Sequence, residues 1–191
     1  MKSIVNKIFA LVLLILTFPI FLIVTIIIFL EDGFPIFYVQ KNYGINNSIF
    51  DLFKFRTMKK NSPQLPTEEF TDVSLYLLKS GKIFRKYSID ELPQFYNVLK
   101  GDMLFIGPRP CMVENEDIVK NLREKKGVHK IKPGITGLAQ VNGRDSNSYK
   151  EKVNLDYQYM KKSNFIMDLK IILKTFIVIL MPKNIKHWKW I

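Results

Sequence analysis

The chain has 191 residues, 48% of them hydrophobic and 24% charged, with a formal net charge of +12; this fits one domain with a core and a short appendage, not a disordered tail or a polytopic membrane protein. A single cysteine, Cys111, excludes an intramolecular disulfide and a cysteine-based zinc cluster, and with only His129 and His187 a catalytic triad or a multi-histidine metal site is disfavoured. Acid–base or nucleophilic work therefore falls mainly on carboxylates, and the positive charge asks for an anionic partner: nucleic acid, a phosphorylated substrate or an acidic lipid leaflet.

Residues 8–30 carry no charge, enough to cross a bilayer, and no small-residue cleavage site follows as a signal peptide would need. Pro19 sits midway, where it removes a backbone hydrogen bond and kinks a helix. All but Lys2 and Lys7 of the 29 basic side chains lie beyond this stretch. A spanning helix would put those two lysines across the membrane from the rest, whereas a helix that breaks at Pro19 and turns back would keep both on one side. In that second geometry the carbonyl freed near Ile15 needs a donor, and the Thr17 hydroxyl is the expected one.

Residues 34–58 read as a β-hairpin, with Phe37-Tyr38-Val39 and Ile49-Phe50-Asp51-Leu52-Phe53 flanking the turn-prone Gly44-Ile45-Asn46-Asn47. Alternation predicts Phe53 and Phe55 on one face, Lys54 and Arg56 on the other. Residues 61–71 read as a loop and 75–87 as a short helix, basic towards its end. A helix is predicted over 90–99, with Asp90 as N-cap so that Pro93 falls in the first turn. Ser88 and Glu91 also spell a capping box, in a register that leaves Pro93 one position too deep.

Gly107-Pro108-Arg109-Pro110 reads as a rigid turn. A polar helix over 114–126 is expected to bury a stripe including Ile118 and Leu122. Residues 132–144 form a glycine-punctuated loop with a short strand, and 149–160 a helix. In the last helix Ile166, Leu169, Leu173, Phe176 and Leu180 recur at three- and four-residue steps, with Lys170 and Lys174 between them and Trp188 and Trp190 beyond. That pattern suits either the membrane interface or a core helix. With no internal repeat or low-complexity linker, the expected organisation is a membrane-embedded helix over 1–32 and one α+β domain over 33–191: a small hairpin or sheet, several helices and amphipathic interfacial helices.

Three clusters could carry chemistry. Asp90-Glu91 has a purely structural reading as a cap and first-turn acid, but Lys82, Arg85 and Lys86 precede it closely, and cations keep a carboxylate ionised and able to act as nucleophile or metal ligand. Arg109, held between two prolines, can present its guanidinium rigidly to a phosphate. Gly134, Gly137 and Gly143 allow close backbone approach, with Arg144 adding charge. No GxxxxGK[ST] or GxGxxG pattern supports a Walker-type or Rossmann site.

Taken together, five segments in order resemble bacterial sugar transferases: Lys54-Phe55-Arg56-Thr57-Met58, the run from Arg85 to Gln94, Asn97 to Met103, Gly107 to Pro110, and Lys132 to Arg144. The chain looks like a minimal monotopic phosphoglycosyl transferase. The resemblance implies that Asp90 attacks the β-phosphate of a UDP-sugar, releasing UMP and holding the phosphosugar as an acyl phosphate. Polyprenyl phosphate then takes the phosphosugar in a ping-pong cycle. It implies that Glu91 helps Asp90 hold Mg²⁺ or assists proton and charge handling, that Arg85 and Arg109 neutralise phosphate charge, and that Lys54, Arg56, Gly134, Thr136, Gly137, Gln140 and Arg144 position phosphates and uridine. It further implies a re-entrant helix broken at Pro19, a seat on the cytoplasmic face of the bacterial inner membrane against its anionic leaflet, and the first membrane step of surface-glycan assembly. Homo-oligomerisation is left open, and no nucleic-acid partner is expected. Two departures from the family pattern are Phe18, where a small hydroxyl residue often precedes the proline, and Asn42, where an arginine is common. Around Asn115-Glu116-Asp117 and Gly143-Arg144-Asp145 the resemblance leans towards N-acetylated hexosamine donors. The rival readings are a membrane-tethered, metal-dependent phosphodiesterase, which would hand phosphate to water, and a non-catalytic basic binding module.

Overall fold

The computed structural model describes residues 2–62, 72–114, 117–143 and 147–180. It is a mixed helix and sheet fold, as the sequence predicts. Helix α1 (Lys2–Asp32) is 31 residues long and runs unbroken in secondary structure through Pro19; at 1.5 Å per residue it spans about 46 Å. It is long and apolar enough to cross a membrane. The Thr17 hydroxyl donates to Leu13 O at 2.6 Å, one turn back along its own helix, and not to Ile15 as expected.

Strands β1 (Phe37–Tyr43) and β2 (Ile49–Phe55) form the predicted antiparallel hairpin. Asn46 and Asn47 take left-handed φ values of 52° and 59°, a conformation that asparagine tolerates better than most residues. The register puts Tyr38 opposite Lys54 and Lys41 opposite Asp51. Helix α2 (Lys79–Lys86) starts later than predicted, because Leu77 is taken up in a bridge to Met58. Helix α3 (Gln94–Lys100) ends on Gly101, whose φ of 98° suits glycine alone. Strands β3 (Leu104–Ile106) and β5 (Gly134–Thr136) pair in parallel, while β4 (Cys111–Met112) adds to the free edge of β1. Residues 107–110 therefore bridge the two sheets.

Helices α4 (Asp117–Lys126), α5 (Leu138–Val141), α6 (Tyr149–Lys162) and α7 (Phe165–Leu180) follow among the described residues. On α4 the buried stripe is Val119 with Leu122, packed on Cys111 and Val153, while Ile118 points outward. Ile118 and Leu122 are four apart and Val119 and Leu122 three apart, so both spacings suit a helical stripe and packing chose the second. A Ser148–Glu151 capping box starts α6. On α7, Ile166, Leu169, Leu173, Phe176 and Leu180 are all exposed, and Ile171 is the buried residue. The predicted stripe is real but faces away from the core.

Two apolar clusters seat α1. Phe21, Val24 and Ile28 pack with Ile36, Phe55, Leu78 and Phe84; Ala10 packs with Phe50, Leu52, Val98 and Met103. Polar ties reinforce both ends. Asn6 accepts from the Phe105 N–H at 2.9 Å, Glu31 accepts from the Lys79 and Ser80 N–H groups that open α2, and Asp32 pairs with Arg56.

Candidate active site

Asp90 and Glu91 lie in a 3₁₀ turn, Ile89–Glu91, ahead of α3. Asp90 is not the N-cap of α3 as predicted: Pro93 occupies that position, and no capping box forms at Ser88. Ser88 is left-handed (φ 54°), and the i→i+3 bonds Glu91 N to Ser88 O and Leu92 N to Ile89 O wind the chain tightly before the α-helix begins. The carboxylates are thus held by a separate 3₁₀ turn that packs on the apolar cluster through Ile89 and Leu92 and leads into the N-terminus of α3.

Three cations converge on that turn from three elements. Glu91 pairs with Arg109 at 3.3 Å. Arg85, from the last turn of α2, donates through Nε to the Thr57 hydroxyl at 2.9 Å and feels the Asp90 charge. Burial lowers the Arg85 pKa, and Asp90 and Tyr38 pull it back up. Lys54 reaches Gln40 Oε1 at 3.4 Å. Burial pushes its ammonium below the ordinary lysine value, Arg109 adds repulsion, and Glu91 and Asp90 oppose both. Part of the Lys54 side chain still meets solvent, so the group sits in a recess and not inside the core.

Asn97 fixes the distance between strand and turn. Fully buried on α3, it accepts from the Phe53 N–H at 3.1 Å and donates to Asp51 O at 2.7 Å, so Lys54 is locked in register with the segment carrying Asp90. Arg109 is anchored through its neighbours. Gly107 N donates to Thr136 O, Gly134 N to Pro108 O, and Arg123 to the carbonyl of Arg109 itself.

Other predicted site residues lie elsewhere. Arg56 donates to Asp32, Gly33 O, Pro35 O and Met58 O, tying the end of α1 to the start of β1 rather than joining Lys54. A Cβ on Gly134 or Gly137 would come within 2.1 Å of the Gly107 backbone, so these glycines allow two loops to touch, a structural reason for their presence. Thr136 bonds Thr175 of α7 at 2.7 Å. The side-chain amide atoms of Gln140 are buried with no partner among the described residues. Arg144 lies outside the described residues, as do Asn115, Glu116, Asp145, Trp188 and Trp190.

Sequence reasoning missed Tyr38, Gln40, Thr57 and Arg123. Tyr38 stands across the hairpin from Lys54 and next in charge terms to Arg85; burial and Glu114 raise its pKa, and Arg85 opposes them. Counting the hairpin register out from its turn would have found Tyr38. Among the described residues no group of three or more His, Cys, Asp and Glu side chains could hold a metal. Two adjacent carboxylates do fit Mg²⁺, which commonly takes one or two protein oxygens and completes its shell with water and substrate phosphate.

The arrangement is a carboxylate pair ringed by Lys54, Arg85 and Arg109, side chains whose charge and donors suit phosphate. The family model described as bacterial sugar transferase matches residues 1–182. The chain is 38% identical over 182 residues to the uncharacterized sugar transferase EpsL of Bacillus subtilis (strain 168), covering 93% of this chain and 86% of that one. It is 37% identical over 168 residues to the UDP-N-acetylgalactosamine-undecaprenyl-phosphate N-acetylgalactosaminephosphotransferase of Aeromonas hydrophila, covering 85% of this chain and 39% of that one. With the UDP-glucose:undecaprenyl-phosphate glucose-1-phosphate transferase of Escherichia coli (strain K12) the identity is 33% over 181 residues, 92% of this chain and 39% of that one.

Proposed function

This chain belongs to the bacterial sugar transferase family, and from that premise we propose that it transfers a sugar-1-phosphate from a UDP-sugar to polyprenyl phosphate, releasing UMP, as the first membrane step of surface-glycan assembly. The observation that carries the reading is the convergence of Lys54, Arg85 and Arg109 on Asp90-Glu91. A carboxylate attacks a diphosphate poorly unless the phosphate charge is neutralised where it develops.

An Asp90 oxygen attacks the β-phosphorus of the donor; the bond from that phosphorus to the bridging oxygen breaks, and UMP leaves with the electron pair. The phosphosugar is then held on Asp90 as an acyl phosphate. A phosphate oxygen of the lipid acceptor attacks the same phosphorus and Asp90 is released, giving polyprenyl-diphosphate-sugar. Arg109, held on Glu91, and Arg85, held on Thr57, offer their guanidinium groups to the phosphates, and Lys54 adds a point charge from β2. Asp90 and Glu91 would hold Mg²⁺, which when bound supplies further charge neutralisation at the diphosphate.

A seat in one leaflet, on the cytoplasmic face of the inner membrane, is supported by α1 itself. Its two ends bind the same globular body, through Asn6 at one end and Glu31 and Asp32 at the other. A helix crossing about 30 Å of hydrocarbon would carry one end away from that body. The exposed apolar faces of α1 and α7, with Lys170 and Lys174 on the latter, suit an anionic lipid surface. The named relatives use different sugars, glucose and N-acetylgalactosamine among them, so a panel of UDP-sugars identifies the donor. Purified in lipid nanodiscs with polyprenyl phosphate, the protein is expected to release UMP with at least one donor, and Asp90→Asn to lose that activity at unchanged melting temperature. Full activity in Asp90→Asn would overturn the nucleophile. UMP release indifferent to the lipid acceptor, with free sugar phosphate accumulating, would favour the phosphodiesterase.

A further inference from the structure

We infer that Arg123, with Asp156 behind it, is a positioning residue that aims Arg109 at the reacting phosphate; this rests on the phosphate-binding role proposed above for Arg109. Arg123 on α4 donates through Nη2 to Asp156 of α6 at 2.8 Å and through Nη1 to the carbonyl of Arg109 at 2.8 Å. The Arg109 side chain in turn reaches Glu91. A continuous line of polar contacts thus runs from the α4–α6 pair to the catalytic turn.

The pair is costly as a stabilising device. The Asp156 side chain is 2% exposed and that of Arg123 is 11% exposed. Burial raises the Asp156 carboxyl, and Arg123 only partly offsets it. Arg123 Nε is buried with no partner among the described residues. A buried ion pair with an orphaned donor adds little to stability and can often be replaced by packed apolar side chains. Its second contact gives a reason for it. Arg109 is flanked by Pro108 and Pro110, which have no N–H to donate, so the Arg109 carbonyl is one of few backbone handles on this segment. Two anchors, Gly107 N to Thr136 O and Gly134 N to Pro108 O, hold the upstream side. Arg123 holds the downstream side, and together they fix the direction in which the guanidinium leaves the backbone.

Arg123→Lys is the informative variant, since an ammonium can keep Asp156 neutralised but lacks the planar fork that serves two acceptors at once. In nanodiscs, this variant is expected to lose roughly tenfold in kcat/KM for the UDP-sugar at a melting temperature near wild type, as a misaimed group would. In an Arg109→Ala background the same change is expected to cost nothing further, because Arg123 then has no guanidinium to aim. An equal tenfold loss in that background, or no loss in Arg123→Lys, would overturn the inference. Should the wild-type protein release no UMP from any UDP-sugar, the functional reading fails separately. The relay is then read from the Arg109 Nε–Hε NMR resonance, identified by its absence in Arg109→Lys. A shifted or broadened resonance in Arg123→Lys supports the relay, and an unchanged one overturns it.

Discussion

Lys54 lies between two guanidinium groups, Arg109 and Arg85, and two carboxylates, Glu91 and Asp90, and burial with Arg109 holds its ammonium below the lysine value of 10.5. Between the folded pKa and 10.5 the unfolded chain binds the proton that the folded chain has lost, so stability rises with pH across that window. Below the window the buried ammonium is a cost carried for function. If the charged form binds the donor, kcat/KM for UMP release falls as pH rises through the depressed Lys54 pKa. Lys54→Arg is expected to move this alkaline limb to higher pH, because a guanidinium keeps its proton there. An unmoved limb would assign the titration to another group. At this scale the grouping of Lys54, Arg85 and Arg109 around Asp90-Glu91 was legible through ordered motifs. The placement of Arg56 was not. Strand alternation paired it with Lys54, but β2 ends at Phe55, and the Asp32, Gly33 and Pro35 acceptors that capture Arg56 lie 21 to 24 residues away.

Local pattern placed the elements better than their ends. The hairpin follows from alternation and turn residues, and α6 starts where the helix is expected, on a Ser148–Glu151 capping box that sequence reasoning missed. Helix α3 does not. The first-turn rule for proline led to Asp90 as N-cap, whereas the chain makes a 3₁₀ turn first and Pro93 itself occupies that position. What tips the balance is tertiary: the 89–91 turn packs on α2 and β2, and Asn97 clamps α3 to Asp51 and Phe53. Asn97→Ala leaves the Phe53 N–H and the Asp51 carbonyl without their buried partner. At about 1–3 kcal/mol for each such group, a loss of roughly 2–6 kcal/mol is expected, read as a fall of several degrees or more in melting temperature. Because the clamp also sets Lys54 relative to Asp90, residual activity should fall further than the folded fraction accounts for. A stable Asn97→Ala protein with full activity would show that the strand finds its register without this side chain.

For the whole molecule, composition and Pro19 left two geometries for α1; the helix runs unbroken through Pro19, and contacts far apart in sequence hold both of its ends. Phe105 N reaches Asn6 across 99 residues, and the Phe9 and Phe105 rings meet edge to face at 5.1 Å. At the other end the Glu31 carboxylate takes the two N–H groups that open α2, the helix that delivers Arg85. No periodicity in residues 8–30 could have signalled these partners, since they lie in segments that only the fold brings near. With the globular body binding both ends, insertion of the exposed middle of α1 into one leaflet leaves the N-terminus on the same side as Lys54 and Asp90. A Ser3→Cys protein tests this, Cys111 being buried. In intact spheroplasts a membrane-impermeant maleimide is expected to leave position 3 unlabelled, and to label it once the membrane is permeabilised. Labelling in intact spheroplasts would mean that α1 crosses the bilayer. The Asn6 and Ala10 contacts would then have to break on insertion, because they could not form with a body left on the far side.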